Sequence, residues 1–237
     1  MPPSEIRKDA REALSGKWGK SVLIILAYIL IPFALGFIEG FFQEIPAVVL
    51  LIELVALVIT IPVSFGLIIS FMKLKRDEEV KAFDFLKDGF TYFGKSWGIA
   101  WQTFIRMLLP IICVIVIAML MGILAIFNAT TNSGSIFTIL GIILYIATLI
   151  YVVSRALLYS LSYYIGYDNP ELTSKECVLK SAELMKGNRG NIFLLELSFI
   201  GWAILACLTL GIGMLWLMPY MQMSFVCFYE KVAKTEA

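Results

Sequence analysis

The sequence predicts an all-α membrane bundle: six transmembrane helices in three hairpin repeats, each repeat preceded by an interfacial helix. Three observations predict it. The chain is 60% hydrophobic and only 16% charged, with a mean hydropathy of +0.88, whereas soluble domains are about half apolar and about a quarter charged. Its apolar residues fall in runs long enough to cross a hydrocarbon core. A short charged segment runs three times into a glycine turn with a basic or amide residue, and an apolar run follows each time. These junctions are Ser15-Gly16-Lys17-Trp18-Gly19-Lys20, Phe93-Gly94-Lys95-Ser96-Trp97-Gly98 and Met185-Lys186-Gly187-Asn188-Arg189-Gly190-Asn191. They divide one integral-membrane domain, residues 1–237, into units of about 1–72, 73–165 and 166–237.

The first unit opens with a polar segment that extends to Lys20, too long for the basic region of a cleaved signal, so a retained span is expected. Ile6, Ala10, Ala13 and Leu14 share one helical face, and Gly16 follows as a stop. The first span is Ser21–Ile38, the polar turn carries Glu39, Gly40, Glu44 and Pro46, and the second span is Ala47–Phe71. Gly36 and Gly40 have the spacing of a helix-association motif, but at a helix end.

The second unit opens with the charged segment Lys73–Lys95, in which Val80, Phe83, Leu86 and Phe90 repeat at helical spacing. Spans Ile99–Phe127 and Ile136–Ile165 follow, separated by the polar loop Asn128–Ser135. In the third unit Thr173-Ser174-Lys175-Glu176 forms a capping box, with Leu172 and Cys177 placed as a staple and Val178, Ala182 and Met185 as the apolar face. The last apolar run, Ile192–Tyr229, would make a single helix about 55 Å long against a core of about 30 Å. The turn Leu210-Gly211-Ile212-Gly213 divides it, which brings the expected spans to six.

All lysines and arginines except Arg106 and Arg155 lie in the N-terminal segment, residues 72–95, residues 166–191 and the C-terminal tail. The positive-inside rule therefore puts both termini and both long loops in the cytoplasm. Trp18, Trp97, Tyr163, Tyr164 and Tyr229 then form an aromatic belt at that interface.

No histidine is present, which removes the commonest metal ligand and general base. Cys113, Cys177, Cys207 and Cys227 are scattered singly, so neither zinc nor redox chemistry is indicated. No nucleotide-binding loop, nucleophile elbow or metalloprotease helix occurs, and no cofactor or metal is expected. The chain is read as a non-enzyme. Asn128-Ala129-Thr130 has the pattern of a glycosylation acceptor.

Ionisable groups within spans are costly and so become candidates. Arg106 and Arg155 lie about 10–15 Å from the basic ends of their spans, and Glu196 about 6–9 Å from its own. With Gln102 and Gln222 they form a candidate ligand site in the inner leaflet, where two guanidiniums suit a phosphate or carboxylate head group. The bland alternative is snorkelling arginines, or an Arg155–Glu196 pair that only satisfies packing. Glu53, about 10 Å below the outer surface, is either a proton-coupling acid or a neutral packing acid. Pro62 and Pro110 lie inside spans, where neighbouring helices can repair the backbone.

Residues Ser4–Lys20, the stretch Lys186-Gly187-Asn188 with Leu195–Trp202, and the ending Gly211–Trp216, Pro219-Tyr220 and Phe228-Tyr229-Glu230 carry a family resemblance. The chain resembles the bacterial integral-membrane family called domain of unknown function 975. More distantly it is similar to the membrane domain of some glycerophosphodiester phosphodiesterases. The resemblance implies a multi-pass protein of the bacterial cytoplasmic membrane and no assigned activity; the phosphodiesterase barrel is absent. The expected role is to bind or move an amphiphilic, anionic, lipid-like molecule at the inner leaflet. The alternative is a component acting through protein contacts, as a transporter partner or a resistance or envelope-stress factor, or as a homo-oligomer. Anionic lipid fits the mixed, aromatic-rich basic loops better than nucleic acid does.

The charge pattern generates a topology prediction. Reporter fusions after Ala237 and within residues 73–95 should report the same, cytoplasmic side, and fusions within 128–135 the opposite one. An exterior signal from the C-terminus would overturn that orientation.

Overall fold

A computed structural model describes residues 2–131 and 136–235, and every regular element among them is a helix. They run α1 Pro3–Leu14, α2 Trp18–Phe42, α3 Pro46–Lys75, α4 Asp84–Thr91, α5 Phe93–Thr131, α6 Ile136–Leu158 and α7 Ser162–Asp168. The last four are α8 Ser174–Leu184, α9 Arg189–Leu197, α10 Ile200–Leu208 and α11 Met214–Thr235. Among the described residues, five stretches are long and apolar enough to cross a membrane: Trp18–Phe42, Pro46–Lys75, Phe93–Ile126, Thr138–Asp168 and Arg189–Leu208. α11 is not among them. The long C-terminal run does divide at residues 209–213, as its glycines suggested, and bends again at Ser198–Phe199.

The buried core sits at the basic ends of the long helices. Ile24 and Ile25 of α2, Phe65, Phe71 and Met72 of α3, Leu161, Ile165, Cys177 and Val178, Phe199, Met223 and Phe228 are all enclosed there. The far halves of the helices are bare apolar surface, as Leu50, Leu57, Leu109, Met119, Ile126, Leu140 and Ile150 show. In water that exposure would be prohibitive; in a bilayer it is ordinary, because lipid tails are as apolar as leucine. α1 docks on this base through Ile6, Ala10 and Leu14, all fully enclosed. Burial of each of the two large residues contributes about 1.5–3 kcal/mol.

The elements meet in a cyclic order. Within hairpins α2 meets α3, α5 meets α6 and α10 meets α11; between them α3 meets α5, α6 meets α9 and α11 meets α2. The short helices follow suit, with α1 on α11, α4 on α3 and α8 on α5 and α7. The α3–α4 crossing is the closest. A Cβ built on Gly66 would lie 1.8 Å from the Phe85 carbonyl oxygen, and one on Gly89 would lie 2.2 Å from that of Pro62. Two glycines facing each other let the two backbones touch, which no other residue pair permits.

This crossing corrects the expected face of α4. The helix begins at Asp84, beyond Val80, with Phe83 at its N-cap. Val80 and Leu86 do pack on the core, but Phe83 and Phe90 are exposed, and Phe85 and Gly89 face α3. The glycine contact chooses the face, and the hydrophobic spacing does not. α8 has the expected capping box, with Thr173 and Glu176 each bonding the other's backbone N–H. That bonding holds the Glu176 carboxyl below its ordinary range. Gly16 and Gly187 have φ of +74° and +81°, so two junction turns need glycine as expected. Gly94 lies inside α5 with open space where its Cβ would be, so the third does not. α2 continues to Phe42 and takes Glu39 into the helix rather than a turn. α5 continues through Asn128 to Thr131, and the rest of the expected loop lies outside the described residues.

Backbone groups freed inside these helices are satisfied by neighbours. Pro62 lacks an N–H, so the Val58 carbonyl loses its helical donor; the Trp97 indole N–H of α5 supplies one at 3.2 Å. Between α6 and α7 the chain breaks at residues 159–161. There the fully enclosed Ser181 of α8 accepts from Leu161 N–H at 3.2 Å and donates to the Leu158 carbonyl at 2.8 Å. Arg7 of α1 donates to the Ser198 carbonyl at the α9–α10 bend.

Two substitutions separate close packing from glycine content. Gly66→Ala should destabilise by about 1–3 kcal/mol, because backbone must move. Gly122→Ala, in open space on α5, should be neutral or stabilise by up to about 1 kcal/mol. Thermal unfolding in one detergent measures both, and equal melting temperatures would contradict the α3–α4 contact.

Candidate functional site

Polar chemistry is concentrated at the base. Arg76 caps α3 and meets Asp168, the last residue of α7, through two contacts of 2.7 and 2.8 Å. Its Nε lies 3.7 Å from Glu230 of α11, and the neighbouring Tyr229 hydroxyl donates to Asp168 at 3.0 Å. The Asp168 bond raises the Arg76 pKa. Junction lysines close the same ends: Lys17 donates to the Leu74 carbonyl at 2.8 Å, and Lys95 to the Asn169 carbonyl at 2.8 Å. Lysine suits these positions because the last carbonyls of a helix lack internal donors. Lys17 also pairs with Asp77 and holds that exposed carboxyl below its ordinary range. At the third junction the Asn188 side chain closes the end of the preceding helix, α8, donating to the Leu184 carbonyl at 3.0 Å.

The five residues expected to share an inner-leaflet site are not brought together. Arg106 bonds along its own helix, to the carbonyl of Gln102 at 2.8 Å and to its side-chain oxygen at 2.7 Å. Arg155 likewise bonds the Tyr159 hydroxyl at 2.9 Å and lies 5.7 Å from the centre of that ring, and its buried Nε has no partner. Each arginine finds a partner one turn away. Neither makes an ion pair with Glu196 among the described residues, so the expected Arg155–Glu196 pair is absent there.

Glu196 and Gln222 do converge. They line a cavity of about 300 Å³ between α2, α3, α9 and α11 and the α6–α7 break, with Tyr28, Ser64, Ser160 and Tyr164. The Tyr28 and Ser64 hydroxyls lie 3.2 Å apart on its wall. This chamber offers one carboxyl, one amide and hydroxyls, but no guanidinium. Glu53 lines a groove of about 280 Å³ between α2 and α3, and it is not alone: Glu39 and the Thr60 hydroxyl line the same groove. Reading Glu39 as a turn residue hid that companionship.

The largest hollow, about 480 Å³, was not expected. It runs between the start of α2 and the α10–α11 hairpin and is walled by Trp18, Trp202, Leu205, Trp216, Leu217 and Tyr220. Arg11 of α1 stands at its basic end and bonds the Tyr220 hydroxyl at 3.2 Å, with Thr209 and Gly213 at the other end. A signal for it lies in the sequence. Residues 202, 205, 206 and 209, and residues 213, 216, 217 and 220, both repeat at i, i+3, i+4, i+7, the spacing of one helical face. Such a groove can hold a hydrocarbon chain along its aromatic wall and an anionic group at the guanidinium, which keeps donors beyond the one given to Tyr220.

The Cys177 thiol is enclosed, and burial raises its pKa, which keeps it protonated and inert. No grouping of three or more potential metal ligands occurs among the described residues.

The two sets of charges make opposite predictions in a double-mutant cycle. Arg76→Met and Asp168→Asn should each destabilise, and together by clearly less than their sum, with a coupling of about 1 kcal/mol or more. Arg155→Met and Glu196→Leu should add within about 0.5 kcal/mol. Unfolding midpoints of the six variants decide it, and strong Arg155–Glu196 coupling would contradict the separation.

No curated protein and no solved structure matches this chain. The distant similarity to a glycerophosphodiester phosphodiesterase membrane domain therefore has no counterpart among these comparisons. The family model described as "Protein of unknown function (DUF975)" matches residues 1–236. Nearly the whole chain is covered, including all three junctions and the aromatic groove, and the protein therefore belongs to the DUF975 family.

Proposed function

We propose that this chain is a non-enzymatic protein of the bacterial cytoplasmic membrane. In this reading it is built as three repeats with their basic ends in the cytoplasm, and it binds or moves an anionic amphiphile of the inner leaflet. The observation that carries this reading is the aromatic groove, with an arginine at one end and apolar wall along the rest. Hydrocarbon chains lie against Trp202, Trp216 and Leu205, and the head group meets Arg11. Three tryptophans beside one guanidinium suit the boundary where acyl chains meet charged head groups. The cyclic order of helix contacts supports the threefold repeat. The lysines and arginines gathered at one end support the orientation by the positive-inside rule. The central chamber around Glu196 lacks a cationic group, so the head-group site lies at Arg11 rather than in the cluster the sequence suggested.

Native mass spectrometry of the purified protein, offered phosphatidylglycerol or phosphatidylcholine, tests this. The wild type should retain phosphatidylglycerol preferentially. Arg11→Gln should bind it about tenfold less well, the loss of roughly one charge-assisted contact. Trp216→Ala should weaken both lipids. Equal retention of phosphatidylglycerol by wild type and both variants would overturn the proposal.

A further inference from the structure

We propose that the α10–α11 hairpin is re-entrant: it enters the bilayer from the basic side, turns within the hydrocarbon and returns without crossing. Two internal rulers give its height. At the base of the hairpin the Tyr220 ring meets Phe199 with centroids 5.3 Å apart and Trp18 with centroids 6.4 Å apart. From Trp18, α2 runs 24 further residues to Phe42, whereas from Tyr220, α11 runs only six back to Met214. At the rise of an α-helix these are about 36 Å and about 9 Å. The second ruler starts from the tie of Arg76, Asp168 and Tyr229. From there α3 extends 30 residues to Pro46 and α11 only 15 to Met214, about 45 Å against about 22 Å. Both place the tip of the third hairpin more than 20 Å short of its neighbours, against a hydrocarbon core of about 30 Å.

The turn itself is built for an apolar medium. Hydrocarbon offers no hydrogen bonds, so a turn inside it must satisfy its own backbone. Every N–H from Thr209 to Leu217 donates within the turn. Gly211 N–H reaches the Ala206 carbonyl at 3.2 Å, and Gly213 N–H reaches the Thr209 hydroxyl at 2.8 Å, so the one polar side chain there is spent internally. Leu210 has φ of +56° and is 95% exposed. A turn in water would place glycine, asparagine or aspartate at such a residue; a leucine projecting outward is what lipid selects. Leu208 and Ile212 are bare beside it. The α2–α3 turn, by contrast, carries Gln43 and Glu44, and the α5–α6 connection is rich in Asn, Thr and Ser. No charged residue occurs between Phe199 and Tyr229. The third hairpin thus stops short of the far face, and its tip meets acyl chains from below.

Site-directed labelling tests this in membrane vesicles of both orientations, with the four cysteines replaced by serine. Gln43→Cys should react with a membrane-impermeant maleimide from one side and Glu171→Cys from the other. Ile212→Cys should react from neither side, yet be labelled by a lipid-soluble maleimide. Reaction of Ile212→Cys from the Gln43 side would show a full crossing and overturn the proposal, as would reaction from the Glu171 side. A second measurement needs no cysteine removal. A polar eight-residue insertion after Gly211 should abolish accumulation in the membrane, while the same insertion after Gln43 should be tolerated. Equal tolerance would also overturn it. Neither result depends on whether the aromatic groove holds lipid.

Discussion

Three hairpins whose far halves touch little need something to hold their near ends, and Arg76 is placed to do so. Its partners come from the base of the other two hairpins, Asp168 at the end of α7 beyond α6 and Glu230 beside Tyr229 in α11. An aspartate at a helix C-terminus faces the negative end of the helix dipole, an unfavourable place for an anion. It is tolerable here because a guanidinium, itself well placed at the C-terminus of α3, meets it with two parallel bonds. One planar cation thereby joins residues 76, 168 and 230, far apart in the chain. The hydrophobic base around Phe71, Ile165 and Phe228 packs beneath it.

The short helices have a second task besides docking. A helix that bends or carries proline leaves backbone groups without partners, and in a bilayer water does not make up the loss. Ser181 from α8 bridges the α6–α7 break, and Arg7 from α1 reaches the α9–α10 bend. Trp97 repairs α3 at Pro62 from a neighbouring long helix. These three discontinuities are tolerated because each falls where another element can reach it. The same principle appears at the tip of the third hairpin, where no neighbour is near and the turn supplies all of its own donors.

Most of the helices were legible from hydrophobic runs and caps, since both are local. Ile6, Ala10 and Leu14 at α1, the Thr173–Glu176 box and the division near Gly211 all depend on residues a few positions apart. The candidate site was not legible in this way. Depth along a helix placed Arg106, Arg155 and Glu196 at one level, but depth says nothing about azimuth, and each arginine was free to bond a residue one turn away on its own helix. Glu196 and Gln222 do line one cavity, while nothing local in the sequence separates Arg11 from the other charges of α1. The α4 face was misread for a related reason: a glycine contact between two backbones has no hydrophobic signature.

The inequality of the long helices has a mechanical consequence. The apolar stretch Phe93–Ile126 has 34 residues and Trp18–Phe42 has 25, about 51 Å and about 37 Å as helix. In one slab of hydrocarbon the longer stretch has more length to take up, by lean, bend or projection beyond the slab, than the shorter. Both are held at the base, each against α3, and bare towards the far end, as Phe41 and Ile126 show. A thinner slab increases that lean and spreads the far ends; a thicker one draws them upright and together. The spread of the hairpins is thereby tied to the thickness of the host membrane, and lipid chain length and temperature both become inputs to the shape of this protein.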